Sequence, residues 1–357
     1  MEPTAITVRV PATSANLGAG FDCLGLALDL FASVTITFSE AEQPPTDDVG
    51  EKMVLTAIKQ TYQRIGKQPP PGIRASYNVA IPLGRGLGAS AVARVAGVVA
   101  VNELEHNTLS PAQMLDIASD LEGHGDNACP ALFGGLQVCV QGADGSYVHV
   151  PCRYPQDAHM AILIPDHSMA TKEARKALPE SYSKADAVHN TGRAALFVAA
   201  MAAGRLDLLA EATDDRIHQR QRSSLFPPMF DIFTAARAAG AHAAWLSGAG
   251  SSIAAICPEE PARAVAAAMI EAAQSAGFGG RSLVTRIARE GATVSKVELV
   301  DESHAPPPRH GSRPRHHHRT HPRPRRVRAR ARCREPGPRG VAAPPLRPAP
   351  LRRGHPR

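Results

Sequence analysis

Apolar residues alternate with polar ones, or cluster with β-branched neighbours, at residues 6–10, 33–38, 73–81, 135–140 and 160–164, a pattern that predicts strands. Between and after them the apolar spacing changes to three and four, which predicts helices over 53–65, 89–102, 111–121, 187–203, 206–214 and 229–239. Ser110 before Pro111 marks one helix start sharply, because the serine oxygen can accept from an orphan amide and proline supplies a preset φ at the first helical position. The last third runs strand 241–246, glycine turn, strand 252–257, helix 259–276 and strands near 282–287 and 294–300. That order predicts helices stacked on an antiparallel sheet. A shift from strand-rich to helix-rich pattern near 151–157 predicts two α+β domains, 1–154 and 155–300, with a cleft between them.

Charge changes this picture at the C-terminus. The chain of 357 residues carries a formal net charge of +7, but residues 301–357 hold 16 Arg and only 3 acidic residues, so the first 300 residues are net acidic. The same segment has 13 Pro and 7 His with almost no apolar run to bury, which predicts a disordered Arg/Pro/His-rich tail. Such a tail could neutralise phosphates nonspecifically, but it has no Phe, Tyr or Trp for base stacking, so no specific nucleic-acid partner is expected. The six cysteines form no C-x-x-C pair, which points to a reducing compartment. With no apolar signal region and no run approaching membrane-spanning length, the expectation is a cytoplasmic protein without a membrane partner.

Candidate chemistry begins at Pro82-Leu83-Gly84-Arg85-Gly86-Leu87-Gly88-Ala89-Ser90-Ala91, where a strand runs into three spaced glycines and then a small-residue helix. Glycines let backbone approach phosphate oxygens, and first-turn amides are unpaired donors at the positive end of a helix. The segment lacks the Gly-Lys-Ser/Thr ending of a P-loop and the spacing of a dinucleotide fingerprint. Taken alone, it reads equally as a tight strand-to-helix turn.

Two companions alter that balance. Pro11-Ala-Thr-Ser-Ala-Asn-Leu-Gly-Ala-Gly-Phe-Asp22 follows a predicted strand, and Leu246-Ser-Gly-Ala-Gly-Ser-Ser252 is a second glycine turn. The three segments, in this order, resemble the GHMP kinase superfamily over about residues 5–300. Within it, the Pro11–Asp22 stretch, Glu122-Gly-His-Gly-Asp-Asn127 and Pro130-Ala-Leu-Phe-Gly-Gly135 resemble the homoserine kinase family. The resemblance implies an α+β fold of two domains, the first ribosomal-S5-like and the second ferredoxin-like, and an ATP-dependent transfer of phosphoryl to the side-chain hydroxyl of L-homoserine for threonine synthesis. It also implies ATP on residues 82–91, Mg²⁺ on Ser90 and Glu122, and homoserine on Asn16, Asp22, His124, Asn127, Arg193 and Arg222.

Hard oxygen ligands suit Mg²⁺, an aspartate suits an ammonium group, and guanidinium groups suit a carboxylate. Asn16 and Asp22 could instead form an Asx-type turn, and His124 could simply pack. Asn127 stands where related kinases place an aspartate, so it can orient but not remove a proton, and no general base is assigned. Phosphoryl transfer through a loose transition state needs positioning and charge neutralisation more than early proton removal. Ala89 replaces the first serine of the family's phosphate motif and keeps every backbone amide. A homodimer is compatible with the sequence, as are another small-alcohol kinase or a nonenzymatic nucleotide-binding relative.

Overall fold

The computed structural model describes residues 3–78 and 81–299; the strand end expected at 79–80, residue 300 and the tail expected at 301–357 lie outside the described residues. In chain order the elements are β1 (Thr4–Ala15), β2 (Leu24–Ser39), α1 (Val49–Arg64), β3 (Gly72–Asn78), α2 (Ala89–Leu104), α3 (Pro111–Glu122), α4 (Ala128–Phe133), β4 (Leu136–Gln141) and β5 (Tyr147–Cys152). There follow β6 (His159–Pro165), α5 (Thr171–Lys176), α6 (Lys184–Ala203), a 3₁₀ turn (Leu206–Leu208), α7 (Leu209–Ala212), α8 (Gln219–Arg222) and α9 (Met229–Ala238). The chain continues with β7 (Ala243–Leu246), β8 (Ile253–Cys257), α10 (Ala262–Ser275), β9 (Gly280–Arg286) and β10 (Thr293–Leu299).

Two antiparallel sheets result. The first has the order β10-β1-β2-β4-β5, with β3 also on β2; the second has the order β7-β8-β6-β9. β1 and β2 are far longer than the alternation at 6–10 and 33–38 predicts, pairing from Thr4↔Phe38 to Ala15↔Gly25 through an irregularity at Pro11/Ala12. Their extensions, Pro11–Ala15 and Leu24–Leu28, are buried at every position, and a strand covered on both faces has no period-two signal. The extra length carries the segment Ala12–Ala15 from the sheet to the edge of the cleft. Ser110 caps α3 as expected, accepting from Gln113 N while the Gln113 side chain accepts from Ser110 N.

The strand at 293–299 departs from the expectation for the last third. It leaves the second sheet and pairs with β1, Thr4↔Leu299 through Arg9↔Thr293. The crossing is held by backbone bonds from Gly135 N to Ala288 O (2.7 Å), Ala288 N to Ala27 O (3.0 Å) and Ala292 N to Leu132 O (3.2 Å). Periodicity shows that a segment is a strand and says nothing about which open edge receives it. The short α4, α5 and α8 lack a pattern long enough to predict, and the edge strand β5 was not expected.

One apolar cluster joins α1, α2 and the first sheet to residues of the second sheet and α6, including Ile162, Phe197 and Trp245. Trp245 is fully buried, donates Nε1–H to Ser14 Oγ at 3.1 Å and meets Phe197 edge-on with ring centroids 6.1 Å apart. A second cluster packs α9 and α10 on the other face of the second sheet. Because Trp245 is the protein's one tryptophan, its emission reports this joint core. Phe197→Ala should lower stability by about 3–5 kcal/mol, read as an earlier urea midpoint of Trp245 emission. A loss below about 1 kcal/mol would show that Phe197 is not part of that core.

Candidate active site

The cleft encloses about 260 Å³ and is lined on one side by Pro82, Leu83, Gly84, Arg85, Gly86, Gly88, Ala89 and Ser90. The side chains of Leu87 and Ala91, also expected at the phosphate site, are buried and do not line the cleft. Gly88 ends the loop in the left-handed region and no side chain caps α2, so the first-turn amides keep their capacity for an anion.

The loop is docked from several directions. Thr13 N donates to Leu87 O (3.1 Å), Met169 N to Gly84 O (3.2 Å), Ser252 N to Arg85 O (3.0 Å) and Ser247 Oγ to Gly86 O (2.7 Å). Arg85 turns away from the loop and donates to Pro165 O and Asp166 O. Two glycines are required by the protein itself: a Cβ on Gly86 would lie 2.0 Å from Ser247 O, and one on Gly88 would lie 1.9 Å from Thr13 Oγ1. Only Gly84 opens on space, with Ser168 Cβ at 4.0 Å. The turn and the phosphate readings of this segment are therefore compatible, with different glycines serving each.

Opposite the loop stand Asn16, Asp22, His124, Asp126, Asn127, Arg175 and Arg222. Asn16 takes a positive φ and is 3% exposed; its Oδ1 accepts from Asp22 N (3.0 Å) and its Nδ2 donates to Gly248 O (2.8 Å). The first bond spans six residues and closes the whole turn between β1 and β2, in place of a two-residue Asx turn, and the second ties that turn to the second glycine turn. Asp22, also at positive φ, projects its carboxylate against Arg175, which donates to both oxygens at 3.1 and 2.8 Å. Arg222 is 2% exposed, donating from Nη1 to Gly248 O and His218 Nδ1 and from Nε to Ala174 O. Burial, and then the like charge of Arg175, brings its guanidinium down to about 10, still protonated at neutral pH.

Arg193 is not brought to this cleft. The helix expected over 187–203 runs from Lys184 behind its Ser183 cap, so Arg193 lies in mid-helix and pairs with Glu211. Arg175 is the arginine the sequence reading missed. It sits in the charged run Thr171-Lys-Glu-Ala-Arg-Lys176, whose composition resembles any solvated helix, and only the fold shows one of its three cations turned inward.

Glu122 ends α3 and Ser90 lies in the first turn of α2, and Ser90 Oγ donates to Glu122 Oε2 at 3.1 Å. The other oxygen, Oε1, pairs in charge with Arg94, yet it is buried with no hydrogen-bond partner among the described residues. A buried carboxylate beside a hydroxyl, with its second oxygen against Arg94, is a donor set that suits a hard divalent cation.

Residues 52–135 match the GHMP kinases N terminal domain, and residues 197–275 match the GHMP kinases C terminal family. The chain is 40% identical over 289 residues to a homoserine kinase of Trichormus variabilis, spanning 77% of this chain and 94% of that one. The chain belongs to the homoserine kinase family. A homoserine kinase of Deinococcus radiodurans is 42% identical over 69% of this chain and 82% of its own. The crystal structure of homoserine kinase from Cytophaga hutchinsonii superimposes with a TM-score of 0.73 at 30% identity, covering 81% of this chain and 97% of that chain. A mevalonate diphosphate decarboxylase from Staphylococcus aureus, 12% identical with a TM-score of 0.62, shares the fold alone.

In this member of the homoserine kinase family the arginine wall rests on a buried relay. Asp215 accepts from Asn190 Nδ2 and from the amides of Ile217, His218 and Gln219. Burial opposes its charge, but the amides and the Asn190 side chain that donate to it outweigh burial and hold the carboxyl below its usual range. His218 donates Nε2–H to Gly18 O at 2.7 Å and accepts at Nδ1 from Arg222, an arrangement that requires the neutral ring; burial likewise lowers its pKa.

The docking of the phosphate loop predicts unequal costs along it. Gly84 and Gly86 both have positive φ, 67° and 72°, so an alanine at either costs about 1–2 kcal/mol of backbone strain. Only at Gly86 does the new methyl also meet Ser247 O. Gly86→Ala should therefore destabilise more than Gly84→Ala in urea unfolding; equal losses would show that the loop is not docked as described.

Proposed function

We propose that this chain is a homoserine kinase, transferring the γ-phosphoryl group of ATP to the side-chain hydroxyl of L-homoserine. The observation that carries this reading is a single cleft with an uncapped helix start and glycine loop on one wall and Asp22, Arg175 and Arg222 on the other. A substrate with an ammonium group, a carboxylate and a hydroxyl matches that wall: Asp22 takes the ammonium, while Arg175 and Arg222 face the carboxylate. Arg175 replaces Arg193 in this role.

The triphosphate lies on residues 82–90, with the apolar side chains of Val49, Met53 and Leu83 beside it as a wall for the base. Ser90 and Glu122 would hold Mg²⁺, which when bound would offset the charge of the phosphates. The substrate oxygen forms a bond to the γ-phosphorus as the bond to the β-γ bridging oxygen breaks, giving ADP and O-phosphohomoserine, while the hydroxyl proton leaves to a phosphoryl oxygen and then to solvent. Asn16, His124 and Asn127 orient the acceptor end; Asn127 has no titratable group and takes no proton. The five described cysteines are free thiols, which fits the cytoplasm.

ADP release measured with Mg²⁺ should show homoserine preferred over mevalonate, shikimate and galactose, and preference for a substrate without the amino-acid head would reject the proposal. Arg175→Ala should raise the homoserine KM about 10- to 100-fold, the cost of charge-assisted hydrogen bonds, with the ATP KM little changed. Arg193→Ala should leave both constants near wild type. Equal effects of the two substitutions would return the carboxylate role to Arg193.

A further inference from the structure

Asp126 was not among the residues expected from sequence, yet it is the hub of the acceptor wall. It is 1% exposed, and its only ionic partner among the described residues is His124. Oδ1 accepts from His124 Nδ1 and, at 3.3 Å, from Asn127 Nδ2. Asn127 Oδ1 in turn accepts from Thr13 Oγ1 at 2.7 Å. A buried carboxylate without a Lys or Arg partner is costly, and this one stands where the two cleft-lining side chains of its own loop converge.

The course of the loop does not depend on the carboxylate. A Cβ on Gly25 would lie 1.7 Å from Asp126 O, and one on Gly125 would lie 2.3 Å from Cys139 Sγ, so β2 and β4 press directly on the loop. Cys129 N donates to Gly125 O (2.8 Å) and Ala131 N to Asn127 O (3.1 Å), tying the loop into α4. What the carboxylate adds is orientation. With Nδ1–H directed at Asp126, His124 offers Nε2, which has no protein partner among the described residues, to the cleft. The same oxygen on Nδ2, with Thr13 Oγ1 on Oδ1, fixes the orientation of the Asn127 amide.

We propose that Asp126 is a positioning residue of the phosphoryl-acceptor site, acting through His124 and, secondarily, Asn127. The proposal rests on the reading of the cleft as the homoserine site, which homoserine turnover by the unaltered protein tests separately. Asp126→Ala should lower kcat/KM for homoserine about 10- to 100-fold and leave the KM for ATP near wild type. Asp126→Asn, which keeps an oxygen acceptor in place, should recover much of that loss.

The deciding measurement is a double-mutant cycle with His124→Ala, with folding of each variant checked by thermal unfolding. In the His124→Ala background, Asp126→Ala should cost only about twofold more. Losses that multiply independently, or an asparagine variant no better than alanine, would overturn the proposal. If Asp126→Ala does not fold, Asp126→Asn enters the same cycle, and independent multiplication there overturns the proposal equally.

Discussion

The carbonyl oxygen of Gly248 receives hydrogen bonds from Asn16 Nδ2 at 2.8 Å and Arg222 Nη1 at 3.1 Å. Through this one acceptor the turn after β1, the glycine turn between β7 and β8, and the arginine wall share a fixed point. Gly248 N donates back to Ala15 O at 3.0 Å, so the two turns are joined in both directions. The glycine loop at 84–88 then rests on the same joint, because Ser247 Oγ donates to Gly86 O and accepts from Ser14 Oγ. Residues far apart in sequence are thus held relative to one another by backbone groups with little room to move, which is the precision in-line transfer requires.

Burial makes that joint sensitive to charge. Arg222 is almost wholly removed from water, and its positive charge is balanced through neutral His218 and the carboxylate of Asp215 rather than by direct contact with an acid. Each member has its donors and acceptors assigned: amides on Asp215, Gly18 O on His218 Nε2, Gly248 O and Ala174 O on Arg222. A network satisfied this completely is rigid, while removal of one member would leave a buried charge without its partner. The cation at the cleft wall is therefore a property of the fold and not of a mobile surface side chain.

The sequence makes the long amphipathic elements legible because their faces differ, and the three glycine-rich segments legible because close backbone approach needs glycine. It leaves three things hidden for identifiable reasons. The doubly buried ends of β1 and β2 have no alternation, and the return of β10 to β1 depends on an open edge that only the fold creates. Arg175 looks like Lys172 and Lys176 in sequence, and Asp126 is one of four polar or charged residues in a six-residue motif. Arg193, expected at the substrate site from the resemblance, is turned by α6 toward Glu211. The local chemistry of a residue is readable from its type, whereas the direction in which its helix presents it is a tertiary property.

The Asp22–Arg175 pair illustrates why that direction matters. Both side chains are partly exposed, 33% and 39%, so their mutual attraction is screened and the pair opens at small cost. Under the kinase reading a zwitterionic amino acid can enter without leaving either charge unmatched, its ammonium replacing Arg175 at Asp22 while its carboxylate meets the released guanidinium. A substrate with only one of those charges would separate the pair and satisfy only half of it. Discrimination in favour of an amino-acid head then follows from the unpaired charge left by the wrong substrate, and not only from contacts made to the right one.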